Sequence, residues 1–168
     1  MQDLDVDGLT FSFPDDWPVS KYDEWTFYRN RWIKVRDGVK ALDIVACSLD
    51  GTTWLIEVKD YRRHARTKAI DLADEVTHKV FDTLAALLPA WVNSDDALEQ
   101  SVAACALRAT KLRVVLHLEQ PAKHSKLFPR AINPTNVQQR LRQQLKPIDA
   151  HPIVCETTRM GALPWTVR

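Results

Sequence analysis

The stretch ALDIVACSLDGTTWLIEVKD, residues 41–60, constrains this chain more than any other. Two apolar, β-branched runs flank Leu49-Asp50-Gly51, and that pattern specifies two adjacent strands and a tight turn. Yet Asp43, Glu57 and Lys59 sit inside runs that otherwise read as buried strand. Side chains alternate along a strand, so Glu57 and Lys59 share a face with Leu55, while Trp54, Ile56 and Val58 take the other. The face of Asp43 depends on the turn. A three-residue loop with Gly51 in the left-handed region pairs Ser48 with Thr52 and sets Asp43 opposite Glu57. A two-residue Asp50-Gly51 turn pairs Leu49 with Thr52 and puts Asp43 opposite Val58, on the wrong face. With the longer loop, two carboxylates oppose each other directly, which costs stability unless something positive sits between them. A divalent cation meets that requirement.

The rest of the chain supplies a setting for the pair. From Ile70 to Leu88, residues Ala73, Val76, Val80, Leu84 and Leu87 form one stripe of a long helix, with Pro89 as its expected end. Ahead of the hairpin, Ser20 and Asp23 have capping-box spacing, and Trp25, Tyr28 and Trp32 recur at helical intervals, so a first helix is expected after Pro18. RWIKV, residues 31–35, reads as a strand that makes an antiparallel meander with the two strands of the hairpin. A helix is expected over Ala97–Ala109, a buried strand over Leu112–Leu118, and a helix capped by Asn133, opened by Pro134 and stopped by Pro147. PIVCE, residues 152–156, reads as a last strand. The expectation is one α/β domain over 1–168: a mixed sheet with helices on its faces.

Composition narrows the function less than the hairpin does. Lys and Arg number 23 against 22 Asp and Glu, so no global positive field marks a nucleic-acid partner and any basic surface is local. Cys47, Cys105 and Cys155 are widely spaced and odd in number, which argues against structural zinc. No run approaches a membrane span, and the acidic, proline-broken start does not read as a signal peptide; a cytoplasmic setting is expected.

An aspartate on one strand, a hairpin, and then Glu57-Val58-Lys59 on the next resembles the PD-(D/E)XK nuclease superfamily, the restriction-endonuclease-like fold. That family's core, an opening helix, a three-strand meander, a crossover helix and a fourth strand, is similar in order and spacing to residues 21–118. The proline that the family often places before the aspartate is Leu42 here. The resemblance implies that Asp43 and Glu57 hold Mg²⁺, for which Mn²⁺ can substitute, with the carbonyl oxygen of Val58 as a further ligand. It implies that Lys59 positions or activates the attacking water, and that Glu24, from the first helix, is a further acidic member; Lys21, three residues earlier, offers Glu24 an ordinary helix-surface pair as the alternative. Hard oxygen ligands and a nearby ammonium suit phosphodiester hydrolysis on independent grounds. Just past the motif, Arg62, Arg63, Arg66 and Lys68 make the strongest local basic cluster and are expected to hold phosphates. His78 and Lys79, off the apolar stripe, are candidates to line the cleft, with a solvated helix face the favoured reading, and His117 reads as a hydrogen-bonded core residue. The expected function is Mg²⁺-dependent cleavage of nucleic acid, DNA foremost. A non-catalytic binding or assembly subunit of the same fold is the alternative, and a homodimer and a place in a larger complex are both left open.

Overall fold

A computed structural model of the protein describes residues 1–121 and 131–168. Its centre is a five-stranded sheet in the order β3(Val19–Lys21), β4(Ile44–Cys47), β5(Thr52–Asp60), β6(Lys111–Glu119), β7(Ile153–Cys155). The first three strands run antiparallel, and β5, β6 and β7 run parallel. Both β5 and β6 are buried on two faces, as parallel central strands require, and their sequences are accordingly near-continuous in apolar residues.

Among the described residues, helices cover one face only. α1(Thr26–Asn30), α2(Leu72–Asn93), α3(Ala97–Leu107) and α4(Pro134–Leu145) pack with Val45, Leu55, Val114 and Leu116 into one core. A second core lies on the other face, where Ile44, Ile56, Val58 and Val115 meet a three-stranded antiparallel sheet of β1(Gln2–Val6), β2(Leu9–Phe13) and β8(Thr166–Val167). Helices on both faces were expected, so this second layer is a correction. It rests on the hairpin Leu4-Asp5-Val6-Asp7-Gly8-Leu9, whose turn residues Asp7 and Gly8 both have positive φ, 50° and 79°.

Three further expectations fail locally. Ser20 caps no helix: it lies in β3, and its hydroxyl accepts a hydrogen bond from Trp25 Nε1 at 2.8 Å. Residues 31–35 are not a strand. Trp32–Lys34 is a 3₁₀ turn, Ile33 and Val35 point outward at 41% and 57% exposure, and the meander's first strand is β3 instead. Pro89 does not end α2, which runs on to Asn93. Its missing N–H costs one helical bond, but Ala86, Leu87 and Ala90 on the same turns are fully or almost fully buried, and that packing carries the helix past it. The first helix expected after Pro18 is also reduced, to the five residues of α1 between two 3₁₀ turns; the remaining expected elements are present, including the Asn133 cap, whose side chain accepts from Thr135 N at 3.0 Å. No helix among the described residues is long and apolar enough to cross a membrane.

Candidate active site

The hairpin takes the longer loop. Gly51 has φ 81°, the Ser48 N–H donates to the Thr52 carbonyl at 2.9 Å, and the ladder pairs Ile44 with Ile56 and Cys47 with Thr53. Gly51 also faces Thr110, whose Oγ1 stands 2.7 Å from where a Cβ would be, so conformation and space both call for glycine here. One step beyond Ile44, this register sets Asp43 opposite Glu57. Val45 and Leu55 belong to the helix-side core, so Asp43, Glu57 and Lys59 project to that side of the sheet.

Asp43 is held from two directions. Its carbonyl accepts from Tyr22 N at 2.8 Å, while Lys40 N and Leu42 N donate to Asp82 Oδ2 and Thr83 Oγ1 of α2 at 2.8 and 3.1 Å. Its side chain accepts from Val58 N at 2.6 Å. Because N–H and C=O of one strand residue leave on the same edge, the Val58 carbonyl is turned toward Asp43 as well. Burial and the neighbouring Glu57 carboxylate push the Asp43 acid up to about 8.

Glu57 is fully buried. Its Oε1 takes two ammonium groups, Lys59 Nζ and Lys79 Nζ, each at 2.6 Å. Among the described residues, its Oε2 has no hydrogen-bond partner. A buried carboxylate oxygen left unpaired is costly, and two carboxylates at opposed ladder positions raise that cost. The groups that could hold a cation here, Glu57 Oε2, the Asp43 carboxylate and the Val58 carbonyl, are all hard oxygens, a set that would suit Mg²⁺ or Mn²⁺. Among the described residues, no three His, Cys, Asp or Glu side chains gather as a metal centre, so a main-chain oxygen would have to complete this one.

Lys59 is the hub of a wider ionic cluster. Besides Glu57 it lies 3.6 Å from Glu75, which also binds Arg66 and Lys68 at 2.6 Å each. Burial works against the Lys59 ammonium, but Glu57, Asp43 and Glu75 outweigh it and hold its pKa above the ordinary value. Burial likewise opposes the Glu75 carboxylate, yet Lys68, Arg66 and Lys59 bring it down to about 2.

Glu75 is a member that the sequence does not single out, and Lys79 turns into the site, the reading that its sequence context ranks second to a solvated face. They lie one turn apart on α2, a helix whose start is fixed by Asp71 accepting from Ala73 N at 2.9 Å. Lys79 is 14% exposed and turned into the site, against the expected solvated face, whereas His78 is exposed. Their i,i+4 spacing was visible, but the rotation of α2 over the sheet was not.

The remaining expected residues divide. Glu24 points outward and pairs with Lys21 at 2.6 Å, an ordinary surface pair. Its neighbour Asp23 turns inward instead: Oδ1 is buried without a partner, and burial raises its pKa despite Lys21 and Lys79. In the basic cluster, Arg62 is tied to Asp60 at 2.6 Å, Arg63 is exposed, and Lys68 is 55% exposed while bound to Glu75. Arg66, only 11% exposed, is an internal strut between Glu75, Tyr61 and the Ile70 carbonyl.

On the opposite face, Cys155 Sγ lies 3.6 Å from His117 Nδ1, and His117 Nε2 lies 2.9 Å from Glu119 Oε1. The grouping has the order of a nucleophile, base and orienting acid. Burial, however, pushes the Cys155 thiol up to about 12, which leaves it protonated and unreactive. His117 is the hydrogen-bonded core residue its sequence context suggested.

No family model matches the sequence. No solved structure matches it either. A cysteine–tRNA ligase of Neisseria meningitidis serogroup A / serotype 4A is 31% identical over an alignment of 159 residues, which takes in 77% of this chain. The chain spans 23% of that ligase's length, so the ligase's activity is a property of a much larger protein.

Proposed function

We propose that the chain is a divalent-metal-dependent nuclease of the PD-(D/E)XK type, with the restriction-endonuclease-like fold, that hydrolyses phosphodiester bonds in DNA. The observation that carries the reading is the hairpin register: Asp43 opposite Glu57, a buried and unpaired Glu57 Oε2, and Lys59 at 2.6 Å from the same carboxylate. The order β3, β4, β5, α2, β6 supports the fold, although the opening helix is reduced to α1, between the first two strands.

In this reading Asp43, Glu57 and the Val58 carbonyl hold the cation. A bound Mg²⁺ would neutralise charge on the phosphoryl oxygens and lower the pKa of water. Lys59, fixed between Glu57 and Glu75, orients the nucleophile or a phosphoryl oxygen as charge develops. Arg63 and Lys68, exposed beyond the end of β5, meet flanking phosphates, and Arg62 joins them when Asp60 releases it.

A second reading has one observation in its favour: two lysines already neutralise Glu57 Oε1, as they would in a retired site kept for binding or assembly. Similarity to part of a ligase named for tRNA makes RNA the natural rival substrate. One panel separates the readings. Labelled linear, branched and single-stranded DNA, together with tRNA, is incubated with and without Mg²⁺. Cleavage of DNA only with metal is the expected result; binding without cleavage of any substrate supports the second reading and ends the first.

A further inference from the structure

Glu57 Oε1 accepts two ammonium groups at the same distance, 2.6 Å, and one of them has no role in the reading above. The two lysines are not equivalent. Lys59 sits on a central strand and is also drawn to Glu75 at 3.6 Å. Among the described residues, Lys79 has Glu57 as its single ion-pair partner, and it projects from α2 on an unbranched stem with four rotatable carbons. A divalent cation seated on Glu57 and Asp43 would place two further positive charges beside both ammoniums. Repulsion then acts on both; Lys59 keeps Glu75 as an ion-pair partner, whereas Lys79 feels Asp23 through space without pairing with it.

We propose that Lys79 is a metal-released phosphate clasp: it neutralises Glu57 while the cation is absent, yields that carboxylate to the metal, and transfers its charge to a backbone phosphate of the bound nucleic acid. The inference rests on the metal-dependent reading of the Asp43–Glu57 pair. It adds a division of labour to that reading: Lys59 stays at the reacting centre, while Lys79 binds. It also gives the doubly capped carboxylate a physical purpose. A buried Glu57 and a facing Asp43 repel when no metal is bound, and an internal ammonium that can leave keeps the pocket folded without blocking it. Occupancy by metal and affinity for nucleic acid become linked, because one event frees the group that the other uses.

The test compares wild type, Lys79→Gln and Lys79→Arg for binding to a labelled duplex DNA, in EDTA and in Ca²⁺, across a salt series, with the duplex checked for integrity on a gel. Glutamine keeps a hydrogen-bond donor for Glu57, so the fold is protected, while arginine keeps the charge. In EDTA the three proteins should bind alike, because Lys79 is then committed to Glu57. In Ca²⁺ the wild type should tighten, Lys79→Gln should lose about tenfold of that gain with a salt slope shallower by about one, and Lys79→Arg should retain most of it. A Lys79→Gln protein with the wild-type gain and the wild-type slope overturns the clasp and leaves the metal site standing. A wild type that neither responds to Ca²⁺ nor binds Mn²⁺ by calorimetry overturns the clasp and the metal-dependent reading together.

Discussion

Two buried polar networks lie back to back across β5 and β6, and they differ in one respect. On the side of the small sheet, Glu119 Oε1 accepts from Thr157 N and Thr157 Oγ1 at 2.6 Å each and meets His117 Nε2 at 2.9 Å, while Cys155 closes the chain on His117 Nδ1. Phe11 seals it edge-on, 5.2 Å from the imidazole. Burial alone would raise the Glu119 acid, but its Thr157 and His117 contacts bring it below its ordinary value, and burial lowers His117, so a carboxylate and a neutral imidazole are both favoured. On the helix side, Glu57 Oε2 is unpaired and Asp43 is pushed up to about 8. The first network is complete without a ligand, and the second is not. Buried polar groups that satisfy one another fix a fold, whereas an unsatisfied pair that persists next to a network of lysines points to something that binds there.

The comparison breaks first at Lys59. If the helix-side network is the reacting centre, Lys59→Ala should lower metal-dependent cleavage by about a thousandfold while substrate affinity changes little, because the ammonium acts chiefly as the transition state forms. Single-turnover cleavage and a parallel binding isotherm measure the two quantities. Full cleavage by Lys59→Ala, in a preparation free of contaminating nuclease, would show that the site lies elsewhere.

Glu119→Ala probes the other side. It strands the Thr157 N–H, the Thr157 hydroxyl and the His117 Nε2 inside the protein, which should destabilise the fold by about 3 kcal/mol in urea. Cleavage per folded molecule should stay at the wild-type value. A variant that folds normally but loses activity would reverse the roles assigned to the two networks.

How much of this was legible differs along the same lines. The Asp43–Glu57 register could be read from Gly51 and strand alternation, because both are local rules. The Asp7-Gly8 hairpin obeys the same rules, and Leu4, Val6, Leu9, Phe11 and Phe13 carry its alternation, but Pro14 and Pro18 interrupt the pattern directly after it. Lys79 and Glu75 could not be placed, because the rotation of α2 is set by Val76, Val80 and Leu87 packing against the sheet and its neighbouring helices. Arg31–Val35 departs from its strand-like sequence for a related reason. Alternation there mimics a strand, yet Trp32 Nε1 reaches the Asp82 carbonyl at 3.3 Å and an Arg36–Asp82 ion pair draws the segment onto α2.

A smaller effect tests where the phosphates run. Arg62→Ala with Arg63→Ala should weaken DNA binding by about tenfold at every sequence and flatten the salt slope by one to two, without changing the cleavage rate of bound substrate. Arg62 must leave Asp60 to take a phosphate, which holds its share of the gain down. An unchanged salt slope in a filter-binding series would move the nucleic-acid path away from the end of β5.

The smallest change asks whether the helix-side pair carries the tension attributed to it. With metal removed by EDTA, the Asp43 acid stands at about 8 against an unfolded value near 3.8. Between those values the folded protein holds a proton that the unfolded chain has released, so the stability due to this group is fully present below about 4 and is lost as pH rises through about 8. Asp43→Asn removes both the proton and the repulsion. Its metal-free melting temperature should match wild type near pH 4, and the variant's advantage should grow as pH rises to 9. Added Mg²⁺ should raise the wild-type melting temperature by mass action and leave that of Asp43→Asn almost unmoved. A wild type whose metal-free stability is flat from pH 5 to pH 9 would mean that Asp43 and Glu57 do not oppose each other, and the two networks would then differ in shape but not in purpose.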